Sequence, residues 1–100
     1  MIIYNVTVNI NHDAHDEWLR WMQEEHIPDV MKTGIFTESR ILKVLADEDS
    51  GGTSYAIQYI CDGMKDYEKY RDQFAAGLQK AALHRFKDKF TAFRTLLETV

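Results

Sequence analysis

The chain has little of what usually commits a small protein to one compartment or one chemistry. Its 100 residues include one cysteine, one proline and five glycines. The lone Cys61 cannot make an internal disulfide, whereas a secreted domain of this size ordinarily carries paired cysteines. It reads as a buried strand thiol, since a reactive one needs a cationic neighbour. Basic charge is also scarce: 12 Lys and Arg stand against 16 Asp and Glu, for a net charge of −4. The densest basic stretch, 80–89, contains Asp88 and reads as one wet helix face. Binding nucleic acid by counterion release needs a concentrated basic surface, so no nucleic-acid partner is expected. No apolar run approaches the roughly 20 residues that span a bilayer, so no membrane partner is expected either. The stretch Met1 to Val6 lacks the basic start of a secretory leader, and Asn5, Thr7 and Asn9 interrupt its apolar run. The expected location is cytoplasmic. A Gly-rich phosphate loop, a Gly-x-Ser-x-Gly elbow and a Cys/His pair at nucleophile spacing are all missing.

What is present is an ordinary globular composition, 45% hydrophobic and 28% charged. The length predicts one domain over residues 1–100, burying roughly 60–70% of its unfolded surface. Strict alternation from Ile2 to Ile10 predicts a half-buried strand, with Ile2, Tyr4, Val6, Val8 and Ile10 facing the core. Asn11, His12 and Asp13 offer a helix N-cap. Helical spacing then runs from Ala14 to Glu25, with Trp18, Trp21 and Met22 forming an apolar stripe that ends at Glu25 or His26. Pro28 predicts a kink or restart, a short segment Pro28–Lys32, and Gly34 as its C-cap. A strand over Phe36–Ala46, a polar turn over Asp47–Gly52 and a strand over Thr53–Cys61 follow as an antiparallel hairpin. Met64, Tyr67, Phe74 and Leu78 hold an inner helical spacing with Tyr70 on the flank; Gly77 allows one bent helix or two. Phe90–Thr99 alternates as a last strand.

The order β-α-β-β-α-β predicts an α+β, ferredoxin-like domain: a four-stranded antiparallel sheet with both helices on one face. The strands carry apolar residues on both sides, Tyr55, Ile57 and Tyr59 opposite Ala56 and Ile60, Phe93 and Leu97 opposite Ala92 and Leu96. Such strands want cover on both faces. A second copy packed sheet to sheet supplies it, so a homodimer through the sheet face is expected.

The segment Trp-x2-Trp-Met-x3-His-Ile-Pro, Trp18 to Pro28, followed by Gly34 and Phe36, resembles the dimeric α/β-barrel superfamily. That group includes antibiotic-biosynthesis monooxygenases, EthD-like proteins and stress-responsive A/B barrels. The whole chain is similar to a group of short bacterial proteins known only as a domain of unknown function. Three stretches carry this: Met1 to Ile10, Glu25 to Val30, and Phe90 to Leu97. The resemblance implies the fold and is silent on activity.

His26 is the candidate catalytic residue, as a base or hydrogen-bond donor between helix and sheet. The plainer alternative is a histidine bonded to free carbonyls at a helix end. Trp18, Trp21, Met22 and Tyr59 are candidates to line a site for a small apolar ligand, though large aromatics on a short helix equally serve as core. Tyr55 and Tyr59 could point hydroxyls into a pocket or across a dimer interface. Asn5 joins the ligand-binding set through the resemblance. Some monooxygenases and haem-degrading members use a first-strand Asn and a His in the second helical region, where this chain has Asn5 and His84. Met64 and Tyr67 stand where those enzymes have a Trp, and His84 lies in a charged helix, so no cofactor is expected. His12, Asp13, His15 and Asp16 cluster at the first helix but read as a wet capping segment, not a metal site. The expected function is a homodimeric domain that binds a small apolar ligand or acts structurally. The alternatives are a cofactor-independent monooxygenase or isomerase using His26, and a protein-interaction module built on the sheet.

Overall fold

A computed structural model describes residues 1–45 and 51–100. Most of the turn expected at Asp47–Gly52, and the strand end at Ala46, lie outside the described residues. Strands β1 (Ile2–Asn11), β2 (Glu38–Lys43), β3 (Gly52–Cys61) and β4 (Phe90–Glu98) form an antiparallel sheet in the order β2-β3-β1-β4. Tyr4 stands opposite Tyr59 and Leu96, Val6 opposite Ile57 and Arg94, and Val8 opposite Tyr55 and Ala92. Side chains directly across from one another share a face. The β1 alternation therefore sorts β3 and β4 as well, and all of these residues project toward the helices.

Two helical arms cover that face. The first runs through α1 (His15–Trp21), a π-helical turn (Met22–His26) and α2 (Ile27–Met31). The second runs through α3 (Met64–Tyr70), another π-helical turn (Arg71–Ala75) and α4 (Ala76–Arg85). The break expected at Pro28 is thus a widened turn inside a continuous arm. Pro28 has no N–H to donate, and in a regular α turn its ring would crowd the carbonyl of Glu24. A wider turn relieves that crowding and lets the helix continue. Gly34, at φ +77°, follows the arm as a left-handed stop, its N–H donating to the Met31 carbonyl at 3.1 Å.

Other local expectations shift. Asn11 makes no side-chain cap; a 3-10 turn (His12–Ala14) leads into α1, and Asp13 instead pairs with Lys89 at 2.8 Å. Gly63 is the N-cap of α3, its N–H held by the Asp66 carboxylate at 3.3 Å. Met64 is exposed while Tyr70 is buried, the reverse of the predicted stripe; both lie within the regular helix α3, six residues apart and so on different faces. Trp18, Ile10, Ile57, Val30 and Cys61 are the largest fully buried side chains. Each is worth about 1.5–3 kcal/mol of transfer free energy if it behaves as a typical large apolar residue. Burial, with the nearby Asp66 carboxylate, pushes the Cys61 thiol up, which makes it an inert packing residue. Among the described residues no helix is long and apolar enough to cross a membrane.

The second sheet face has no helix. Its centre is polar and internally bonded. Arg40 Nε donates to Gln58 Oε1 (3.0 Å), Gln58 Nε2 to Asn5 Oδ1 (3.2 Å), and Asn5 Nδ2 to Thr7 Oγ1 (3.1 Å). Phe93, Leu97 and Leu42 stand exposed around this band. The face is therefore amphipathic, a polar strip with apolar margins, where the sequence alone suggests a more uniformly apolar surface.

Candidate functional site

The two arms do not close completely over the sheet. Between them lies a cavity of about 220 Å³. Val6, Val8 and Ile57 form its floor, Trp18 and Met22 one wall, and Leu78, Ala82 and Leu83 the other. Phe90 and Ala92 continue the apolar lining along β4. Alternation along the strands and the stripe along α1 aim these side chains inward, so the apolar part follows from local pattern.

The opposite end is polar. Tyr4 lies under Tyr59 and Tyr70, with ring centroids 6.0 and 5.6 Å away, and Phe36 packs behind Tyr59 at 5.3 Å. Arg94 Nε donates to the Tyr4 hydroxyl at 3.1 Å, which holds the guanidinium at the cavity mouth. Tyr59 and Tyr70 are only 2% and 3% exposed, and neither hydroxyl has a hydrogen-bond partner among the described residues. Burial pushes both phenols well above their usual range; Tyr70 and Tyr4 reinforce this for Tyr59, and Tyr4 does so for Tyr70. Both therefore remain protonated donors at neutral pH.

His26, at the end of the first π-helical turn, faces the same space. Its ring stacks on Trp21 with centroids 4.7 Å apart. Burial holds its pKa below the ordinary histidine value; Asp29 opposes that shift and Arg94 adds to it. The imidazole is neutral at pH 7, so one nitrogen can accept a proton and the other donate a hydrogen bond. It has no hydrogen bond to a described residue, so it does not cap the helix carbonyls. π-helical turns recur at functional sites because the wider turn re-aims side chains. Here each arm has one, and His26 and Tyr70 flank the cavity beside them.

The structure thus brings His26, Trp18, Met22 and Tyr59 to one cavity. Trp21 is set back from it, stacked behind His26 and edge-on to Phe86 at 5.3 Å. Asn5 does not join them. It is odd-numbered on an alternating strand, so it points to the other face of the sheet, where Gln58 and Thr7 bond it. His84 is exposed on α4 and does not meet Asn5, so the two residues of the haem-type pattern stand apart. Sequence reasoning missed Tyr4, Tyr70, Gln79 and Arg94 as cavity residues. Arg94 did leave a signal: it is a charged residue at an inward position, between Ala92 and Leu96. Tyr55 does not reach the cavity either. His15 Nδ1 lies 2.8 Å from Asp16 Oδ1 and His15 Nε2 2.6 Å from the Tyr55 hydroxyl, so the chain Asp16–His15–Tyr55 pins the start of α1 to β3. No group of metal-ligating side chains forms among the described residues.

The architecture is the ferredoxin-like fold shared with dimeric α/β-barrel proteins, here with a cavity between helices and sheet. An EthD-family protein from Bacillus halodurans superposes with a TM-score of 0.70 at 12% identity, covering all of both chains. A dimeric ferredoxin-like protein from an uncultured marine organism gives 0.66 at 15% identity, over 99% of this chain and 96% of that one. A variant of SnoaB, a cofactor-independent oxygenase from Streptomyces nogalater, gives 0.67 at 14%, over 98% and 92%. At such identities the similarity speaks for the fold. No curated protein matches the chain in sequence. The chain belongs to the DUF4286 family, a domain of unknown function, which matches it over residues 1–100.

Proposed function

We propose that this protein is a homodimeric domain that binds a small, largely apolar molecule in the cavity between its helical arms and its sheet. One observation carries the reading. In a mostly apolar wall, the hydroxyls of Tyr59 and Tyr70 and the imidazole of His26 have no partner within the described chain. Among the described residues no fully buried side-chain polar atom lacks a partner, so these three groups reach the cavity space itself, where a bound molecule can bond them. Native mass spectrometry of the protein purified gently from its own cells tests this. The expected result is a small adduct that disappears in Ala82→Phe, which fills the cavity from α4. A protein that carries no adduct, and that takes up no small aromatic probe, would end the reading.

The second copy covers the open sheet face. Phe93 is 63% exposed there, with Leu42 and Leu97 beside it, an apolar margin that a two-fold related sheet would bury. The dimeric ferredoxin-like neighbour supports this arrangement. Light scattering at micromolar concentration should give twice the 11.7 kDa chain mass, and Phe93→Glu should give the monomer. A wild-type monomer sinks the dimer. The buried, unpaired Cys61 fits a reducing compartment such as the cytoplasm.

His26 favours a second reading, catalysis without a cofactor, in line with the SnoaB neighbour. A neutral imidazole on an apolar wall can take a proton from a bound phenol or an acidic C–H, the first step of an isomerisation or of reaction with oxygen. Bound 2-naphthol reports on this through the different fluorescence of its ionised form. The ionised signal should be lost in His26→Gln with binding retained; equal spectra in both proteins would remove His26 as the base.

A further inference from the structure

We propose that the cavity selects an apolar acid, a small molecule whose carboxylate pairs with the Arg94 guanidinium while its body lies between the helical arms. This rests on the cavity being a ligand site and adds the chemical class of the ligand.

The charge inventory of the wall is the first argument. Among the described residues, Arg94 is its only permanently charged one, and no Asp or Glu lines the cavity. Four of the eleven other cations sit beside carboxylates: Lys32 by Asp29, Arg71 by Asp72, Arg85 by Glu17 and Lys89 by Asp13. None of the ion pairs among the described residues uses Arg94. Arg94 is solvent-exposed, yet it stands opposite Val6 on the helix-covered face, in a row continued by the apolar Ile57 and Ile41.

Its geometry is the second argument. The Tyr4 hydroxyl accepts from Nε at 3.1 Å, which fixes the guanidinium plane and uses the side edge of the fork. The two Nη groups remain, and they form the edge that grips a carboxylate with two parallel bonds. Tyr4, already accepting, keeps its own O–H to donate. The unpartnered Tyr59 and Tyr70 hydroxyls offer further donors at the same end. Donors converge there, and neutral His26 leaves the positive charge to Arg94 alone.

One cation suits a monoanion. A phosphate monoester, with a charge approaching −2, would call for a second cation, and the wall has none among the described residues. The rest of the wall is aliphatic or aromatic, and 220 Å³ is below the roughly 300–1,000 Å³ of common ligand pockets. The fitting ligand is therefore compact, with one fused ring system or a short branched chain behind its carboxylate.

The test compares three probes of one shape: 1-naphthoate, 1-naphthalenemethanol and 1-naphthyl phosphate. Binding is read from the fluorescence of Trp18 and by calorimetry. A charged hydrogen-bonded pair predicts that naphthoate binds about tenfold or more tighter than the alcohol. Arg94→Gln should reduce naphthoate to the level of the alcohol without changing the alcohol, and Arg94→Lys should recover part of the difference. Circular dichroism melts should shift little, because Arg94 is solvent-exposed and loses only its hydrogen bond to the Tyr4 hydroxyl. If the alcohol binds as well as the acid, or Arg94→Gln leaves naphthoate unaffected, charge selection is wrong while the cavity stands. Tighter binding of the phosphate would overturn the carboxylate assignment. Failure of all three probes at millimolar concentration would defeat the cavity reading itself.

Discussion

The two faces of the sheet treat their polar side chains in opposite ways. On the open face Arg40, Gln58, Asn5 and Thr7 bond one to the next in an unbroken chain across three strands. On the covered face the Tyr59 and Tyr70 hydroxyls and the His26 imidazole face the cavity and have no partner within the described chain. Polarity that closes on itself serves stability, because every donor it desolvates is satisfied. Polarity left open inside an apolar wall serves something that arrives from outside. The contrast separates the scaffold from the site although both share β1 and β3.

The covered face should give the largest effect. Trp18 is at once core and cavity wall, 2% exposed and 5.3 Å from the Tyr55 ring. Trp18→Ala should lower stability by about 3–5 kcal/mol in urea denaturation, with the enlarged cavity adding to the transfer loss. A cost below about 1 kcal/mol would mean that the wall is not continuous with the core.

A sharper comparison sets Asn5→Ala against Tyr59→Phe. Removing Asn5 strands Gln58 and Thr7 on the open face, for an expected loss of about 1–3 kcal/mol. Removing the Tyr59 hydroxyl strands nothing in the described chain, so stability should change by less than about 0.5 kcal/mol while probe binding weakens. Equal losses in both variants would erase the difference between the faces.

Acid titration probes the same boundary. The folded pKa of His26 lies below its ordinary 6.5, because burial disfavours the cation. The unfolded chain therefore takes up its proton first as the pH drops. The two states are equally neutral at higher pH, and stability should fall as pH decreases below about 6.5, levelling once the folded imidazole also protonates. His26→Gln should flatten that part of the profile in a series of urea midpoints; an unchanged profile would place the titration elsewhere. The smallest effect belongs to neither face. Arg85 and Glu17 pair at 2.9 Å in solvent, and Glu17→Ala should cost less than about 1 kcal/mol, diminishing further in salt.

Much of this architecture was legible in the residues. A two-residue period is a local property, so Ile2 to Ile10 announces both a strand and the face each side chain takes. That face assignment already places Asn5 outward; Tyr59 follows only once the pairing with Tyr4 is known. Putting Asn5 in a site followed a resemblance instead of the strand's own alternation, and the alternation was the better guide. Trp18 and Met22 reached the cavity because a helical stripe facing a sheet has one direction to go. Trp21, at the end of α1 and before the π-helical turn, did not; it stacks behind His26, which faces the cavity.

By itself the sequence determined the order of strands and helices, the buried side of β1 and a net acidic charge. These depend on spacing and composition, which are read over a few residues at a time. Only the tertiary structure decided that the arms stand far enough apart to leave a cavity, that Arg94 meets Tyr4 across 90 positions of chain, and that His15 holds Tyr55 away from the site. Those outcomes depend on how completely two helices can settle on a twisted sheet, a packing balance summed over the whole core that no local pattern records.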